Sequence, residues 1–88
     1  MGAISEAIRN KLTQAFQPTR LEIEDDSARH AGHAGAREGG HYTVRIRSAR
    51  FAGLSPLARH RLVYDSLGPL KALGVHALAI DAQVPDPA

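Results

Sequence analysis

Apolar residues recur at every fourth position along the first part of the chain, with polar residues between them. They are Ile4, Ile8, Leu12 and Phe16. This spacing is typical of a helix that buries one face. The helix is predicted to run from Ala3 to Phe16 and to end before Pro18, because the residue that precedes a proline is disfavoured in helical geometry.

Two later segments alternate apolar with polar residues, which is the pattern of a half-buried strand. The first covers residues 21–24 and the second residues 42–47. If they pair as a hairpin, the glutamates of the first and the arginines of the second share the solvent face, where opposite charges contribute about 0.2–1 kcal/mol a pair. The residues between them, about 27–40, include four glycines and four alanines without periodicity. They are predicted to form a flexible surface loop.

The signals for a second long helix lie at Ser55 and Pro56. A serine hydroxyl accepts hydrogen bonds from free backbone N–H groups, and proline fits the first helical position, where its missing N–H costs little. The helix is predicted to end near Leu67, before Gly68 and Pro69. Its core-facing positions are predicted to be Ala58, Leu62, Val63 and Leu67.

A short helix from Leu70 to Leu73, closed by Gly74, is predicted next, and the apolar run from Val75 to Ile80 is predicted to be a third strand. A strand, a helical crossover and a strand in one sheet favour a parallel connection. The predicted fold is therefore α+β, a single small domain over residues 1–88 in the order αββααβ. It has a three-stranded mixed sheet with helices on one face, and residues 84–88 are predicted to be a frayed tail.

The chain has 88 residues and no cysteine. This length suits one modest core, and the lack of cysteine excludes disulfides, thiolate metal ligands and thiol catalysis. With 11 basic and 9 acidic residues, the net charge of +2 is weak evidence for a polyanionic partner. No apolar run reaches the roughly 18 residues that span a bilayer, and no secretion signal is evident. The chain is predicted to be soluble and cytoplasmic, with no membrane contact.

The five histidines are the candidates for site chemistry. His30 and His33 lie in the glycine-rich loop, His41 begins the second strand and His76 begins the third. If the two strands are neighbours, imidazoles gather at one end of the sheet. Imidazole binds zinc, copper, nickel or iron, but a site normally needs three or four ligands. The alternative is that these histidines are solvated side chains, and His60 is predicted to be a surface group outside the metal set.

A nucleic-acid interface is the second possibility, because the αββααβ order resembles that of class II KH domains. Five arginines could contact phosphates: Arg45, Arg47, Arg50, Arg59 and Arg61. However, the Gly-x-x-Gly sequence at residues 32–35 lies between two strands, whereas a KH domain has it between two helices. An enzyme is the weakest possibility, since the chain has no phosphate-binding loop and no dinucleotide fingerprint. The chain is predicted not to be an enzyme.

Three motifs together resemble the BolA family. The pattern Phe-x-Gly-x-Ser-x-x-x-Arg-His-Arg-x-Val-Tyr covers residues 51–64. Gly-Val-His-Ala-Leu-Ala-Ile covers residues 74–80, and Asp-Ser-Ala-Arg-His-Ala-Gly-His covers residues 26–33. In order and spacing, the resemblance covers nearly the whole chain.

The resemblance implies an adaptor that binds a monothiol glutaredoxin and contributes histidine to a bridged [2Fe-2S] cluster. The cluster would be shared with the glutaredoxin and its glutathione, in iron–sulfur cluster assembly, trafficking or iron regulation. His76 is implied as the first ligand and a loop histidine as the second, with His30 in the best-aligned position, His33 close to it and His41 left open. The family also has members described as DNA-binding transcriptional regulators, which is the alternative function.

Docking is expected to use basic residues of the second half of the chain. Arg59, Arg61 and Lys71 could meet an acidic partner surface or DNA. The isolated chain is expected to hold no cluster and to be a monomer or a weak homodimer.

Overall fold

The computed structural model describes residues 2–27 and 40–86. Three α-helices and three strands form this part of the chain. In chain order they are α1 (Ala3–Phe16), β1 (Arg20–Asp25), β2 (Gly40–Arg47), α2 (Pro56–Leu67), α3 (Leu70–Leu73) and β3 (Val75–Gln83). The predicted αββααβ order is confirmed. A short 3₁₀ turn at Ala49–Phe51, which the sequence pattern did not indicate, follows β2.

The three strands form one sheet in the order β1-β2-β3. β1 and β2 are antiparallel, with Glu22 opposite Arg45. β2 and β3 are parallel, because the crossover through α2 and α3 returns the chain to the same end of the sheet. The predicted mixed sheet is therefore confirmed.

The helices pack on one face of the sheet and leave the other face open. The fully buried Phe51 lies with its ring centroid 5.0 Å from that of Phe16, at the end of α1. The buried apolar residues come from helices and strands alike; they are Ile8, Leu12, Phe16, Tyr42, Val44, Ile46, Phe51, Val63, Leu67, Val75 and Ala82. Alternation along β2 turns His41, Thr43 and Arg45 to the helix-free face.

Helix α2 begins as predicted. The Ser55 hydroxyl accepts a hydrogen bond from the Ala58 N–H at 3.2 Å, and Pro56 is the first helical residue. The prediction that Leu62 faces the core is wrong, since this side chain is 38% exposed. Successive helical residues point about 100° apart, so with Val63 at the centre of the contact, its neighbour Leu62 lies at the rim.

Strand β3 continues three residues beyond the predicted end at Ile80. Asp81 and Gln83 are exposed and alternate with the buried Ala82, so the half-buried pattern persists. The N–H of Ser48 donates to the carbonyl of Gln83 at 3.0 Å and closes the ladder with β2.

Several sequence-based predictions fall outside the described residues. These are the structures of His30 and His33, of the Gly-x-x-Gly sequence at residues 32–35, of most of the loop at 27–40, and of the last two residues of the tail. Within residues 2–27 and 40–86, no helix combines the length and apolar character needed to cross a membrane.

Candidate functional site

His76 lies at an irregularity where β3 begins. Gly40 pairs with Val75, but the next residue of β2, His41, pairs with Ala77. His76 is therefore the extra residue of a β-bulge. Bulges of this kind bend a strand and redirect side chains.

The bulge places two consecutive residues of β3 away from the core. Val75 is buried, and farther along the strand Ala82 is also buried, although strict alternation would turn residues 75 and 82 to opposite faces. The change of phase occurs between Val75 and Leu78, where His76 and Ala77 are both exposed. The His76 imidazole is thus accessible although its strand is part of the packed sheet.

His41 of β2 lies beside His76. The centroids of the two imidazole rings are 5.2 Å apart, and the ring planes are inclined at 55°. His41 is half-buried, whereas His76 is exposed. The structure therefore brings together two of the five histidines at one end of the sheet.

The backbone of His41 is held on both sides by the end of the β1 segment. Its N–H donates to the Ser27 hydroxyl at 3.0 Å, and its carbonyl accepts from the Asp26 N–H at 2.7 Å. The Asp26 carboxylate in turn accepts from the Thr43 hydroxyl at 2.6 Å. These bonds fix the position from which the His41 ring projects.

Two glycines close the same end of the sheet. The N–H of Gly40 donates to the carbonyl of Gly74 at 2.9 Å. A Cβ on Gly40 would overlap the ring of Tyr42, so a side chain does not fit there. Gly74 ends α3 with φ at +84°, a left-handed conformation that favours glycine. The strands that carry the two histidines therefore start from a tightly joined pair of backbones.

Hydrogen bonds and burial shift two titratable groups at this end of the sheet. Hydrogen bonds from the side chain and backbone N–H of Ser27 lower the pKa of Asp25 below its usual value. Burial, followed by the charge of Asp25, raises the pKa of Tyr42. Asp25 is thus held as an anion and Tyr42 as a neutral phenol.

The structure gives less information about the other candidate ligands. His30 and His33 lie outside the described residues, and His60 is a half-buried residue of α2. In the part of the chain that the structure describes, no group of three or more His, Cys, Asp or Glu side chains is arranged to hold a metal ion. His41 and His76 are therefore a pair that would need further donors.

The predicted docking residues differ in their surroundings. Arg61 and Lys71 are exposed. Arg59 is half-buried, and its guanidinium donates to the carbonyl of Leu54 at 3.0 Å and to that of Ala82 at 3.1 Å. Arg59 joins the segment before α2 to the end of β3, so part of its hydrogen-bonding capacity is used within the fold.

The arginines of the helix-free face are balanced by carboxylates. Arg45 forms an ion pair with Glu24 at 3.2 Å, and Arg20 pairs with Glu22 at 2.5 Å. The Arg47 guanidinium contacts the carboxylate of Asp86 in the tail. The predicted sharing of this face by glutamates and arginines is confirmed. Its mixed charge makes it a weaker phosphate-binding surface than the arginine count alone suggests.

The sequence indicates that imidazoles gather at this end of the sheet if the two strands are neighbours, but it does not indicate the bulge at His76. His41 was one of three alternatives for the second ligand, and the loop histidines took precedence over it. The relevant signal was the pairing of β2 with β3, but the exact register depends on the bulge. Without an inserted residue, His76 would follow Val75 into the ladder position opposite His41, the position that Ala77 occupies in the structure.

Comparison with known proteins places the chain among its relatives. The sequence pattern of the family described as BolA-like protein matches residues 12–87. BolA-like protein 1 of Mus musculus is 48% identical over 84 residues, a match that covers 96% of this chain and 60% of the mouse protein. The DNA-binding transcriptional regulator BolA of Escherichia coli is 44% identical over 77 residues, covering 88% of this chain and 71% of that protein.

Structural comparison gives the same result. The BolA domain of SufE1 from Arabidopsis thaliana superposes with a TM-score of 0.83 at 45% identity, covering 97% of this chain and 95% of that domain. On the family match, the sequence identity and the fold, the chain belongs to the BolA family.

Proposed function

We propose that this chain is a BolA-type adaptor that binds a monothiol glutaredoxin and contributes histidine to a [2Fe-2S] cluster bridging the two proteins. The proposal rests on family membership and on the position of His76. This imidazole is exposed on a bulge, at the start of a strand whose other end is packed in the core.

The donor set of the chain fits this role. It has no cysteine, so the thiolates of the cluster must come from the glutaredoxin and from glutathione, while this chain offers neutral imidazoles. His76 is assigned as the first ligand, and His30 or His33 as the second. When bound, such a cluster supplies a one-electron redox centre whose potential is raised by histidine ligation.

The exposed basic residues near α2 and α3 support docking to an acidic surface. Arg61 and Lys71 are accessible for such a contact, and Arg59 keeps the donors that its two internal hydrogen bonds leave over. The BolA family is not known as a family of enzymes, and the proposed role is accordingly binding and cluster transfer. The cytoplasmic location and the monomer or weak homodimer of the isolated chain stay predictions.

The test is the visible absorption and circular dichroism spectrum of a monothiol glutaredoxin with its [2Fe-2S] cluster, recorded with and without this chain. The wild-type chain should change the spectrum, and His76→Ala should abolish the change. His60→Ala is the control and should behave as wild type, because His60 lies on α2 and is outside the proposed ligand set. A far-UV spectrum and a melting curve of each variant check the fold. A His76→Ala complex with the wild-type spectrum would remove this residue from the cluster.

A DNA-binding regulator is the second candidate, because the Escherichia coli relative carries that name. Binding through arginines releases counterions from DNA, so its affinity should fall steeply as the salt concentration rises. The complex with a glutaredoxin should depend instead on the presence of the cluster and glutathione. Measuring both interactions at 50 mM and 200 mM salt, about the range over which phosphate contacts weaken strongly, separates the two functions.

A further inference from the structure

We propose that His41 and His76 form a two-imidazole site for a single divalent transition-metal ion of the zinc or nickel type, which the isolated chain binds without any partner protein. This goes beyond the proposed function, in which the second ligand is a loop histidine and the metal belongs to a shared cluster.

The separation of the two rings suits one shared ion. A zinc–nitrogen bond of about 2.1 Å places an ion roughly 3.2 Å from the centroid of each ring, and a tetrahedral angle at the ion then separates the centroids by about 5 Å. The centroids of His41 and His76 are 5.2 Å apart. The two strands therefore hold the imidazoles at the spacing of two ligands on one ion.

The backbone that carries the two rings is fixed before any ion binds. Hydrogen bonds from Asp26 and to Ser27 hold His41, and the Gly40–Gly74 hydrogen bond joins the beginnings of both strands. A site whose ligands are already positioned loses less conformational entropy on binding. His76, on the bulge, is the exposed member of the pair, so the ion can enter from solvent.

The surface beside His41 is concave and open to solvent. A shallow depression beside His41 is lined by Asp26, Tyr42, Thr43, Ala77, Leu78 and Ala79, of which Asp26 and Thr43 contribute polar oxygens. The ionised Asp25 is the last residue of β1 and pairs with Tyr42, the residue that follows His41. Two water molecules would complete a tetrahedral shell, one more than in open zinc sites, which have three protein ligands.

The experiment is a calorimetric titration of the isolated wild-type chain with Zn²⁺. Each of two variants, His41→Phe and His76→Phe, keeps an aromatic ring of similar shape but removes the nitrogen donors. Replacing a residue that hydrogen-bonds to a metal ligand lowers metal affinity about 10-fold to 100-fold. Replacing the ligand itself, as each variant does, should therefore weaken Zn²⁺ binding by at least about 10-fold. The control His60→Phe should bind Zn²⁺ as the wild type does, and so should the double variant His30→Asn/His33→Asn.

A second measurement avoids dependence on the variants. In the wild-type chain, the ¹⁵N resonances of the His41 and His76 rings should both shift on addition of one equivalent of Zn²⁺. A His41→Phe chain that retains wild-type affinity would overturn the proposal, because His41 would then act only by packing. Zinc-dependent shifts confined to His76 would also overturn it. Since no glutaredoxin is present, either result leaves the cluster-sharing proposal to its own test.

Discussion

Replacing Arg59 with alanine removes a guanidinium that joins two distant parts of the chain. Its Nε donates to the carbonyl of Leu54, before α2, and its Nη1 donates to the carbonyl of Ala82, near the end of β3. Ala82 belongs to the buried core, with 7% of its surface exposed. The substitution therefore leaves two carbonyls without their donor at the contact between α2 and the outer strand of the sheet.

The expected loss follows from the strength of these bonds. A hydrogen bond to a charged group contributes about 1.5–3 kcal/mol. Because Arg59 is only half-buried, water can replace part of both bonds, so we expect a total loss of about 2 kcal/mol rather than the full sum. A domain of this size has roughly 4 to 13 kcal/mol of stability, so the change is large. It corresponds to a decrease in Tm of roughly 8 to 16 °C.

The assay is thermal and urea unfolding followed by circular dichroism. Arg61→Ala is the matched control, because it removes the same charge from an exposed position of the same helix. Arg59→Lys should fall between wild type and Arg59→Ala, since an ammonium lacks the planar fork that reaches both carbonyls. A difference in Tm of about 2 °C corresponds to well under about 1 kcal/mol of stability in a domain of this size. If the Tm values of Arg59→Ala and Arg61→Ala differ by less than about 2 °C, the structural role of Arg59 is refuted.

Two further predictions concern the end of the sheet near the histidines. Gly74→Ala should destabilise the chain by about 1–2 kcal/mol because the φ of Gly74 is positive. The loss should exceed that of Gly53→Ala, since a Cβ on Gly74 would lie 3.0 Å from the side chain of Ile4, whereas a Cβ on Gly53 meets no atom within 4 Å. Equal losses of stability in urea unfolding would contradict this prediction. The lowered pKa of Asp25 means that its ionised form stabilises the fold above the unfolded-state pKa and that this contribution disappears as the pH falls through the folded-state value. The difference in Tm between wild type and Asp25→Asn should therefore be larger at pH 7 than at pH 3, which is about a unit below the ordinary pKa of aspartate. An equal difference at both pH values would show that the hydrogen bonds from Ser27 do not stabilise the charge.

Most of the fold follows from local signals in the sequence. The four-residue spacing of apolar residues gives α1, and the Ser55–Pro56 pair gives the start of α2 with the expected cap. Gly74 ends α3 with a positive φ, as glycine after a helix commonly does. Each of these features is decided by a few neighbouring residues, so a single sequence is sufficient to predict it.

The features that sequence reasoning missed depend on residues far apart in the chain. The exposure of Leu62 depends on how α2 rotates against α1, and the turn at Ala49–Phe51 depends on where Phe51 finds space beside Phe16. The role of Arg59 required knowing that the carbonyl of Ala82, 23 residues away, lies within its reach. Periodicity within one element contains none of this information.

The candidate site combines both kinds of information. His76 could be singled out from its motif, but its neighbour could not, because the side chain next to it is set by the register between β2 and β3. One inserted residue changes which pairs face each other. In the observed register Ala77, and not His76, occupies the ladder position opposite His41, and the two imidazole rings nevertheless lie side by side.

The bulge also explains why the exposure of His76 and the packing of β3 belong together. Without the inserted residue, a strand that buries Val75 would turn Leu78, Ile80 and Ala82 to solvent, and these residues pack against or within the core. With it, both ends of the strand are buried on the same face, and the phase change is taken up at His76. Any change that restores regular pairing must therefore either expose the apolar side of β3 or withdraw Val75 from the core. The accessible imidazole is consequently tied to the stability of the sheet.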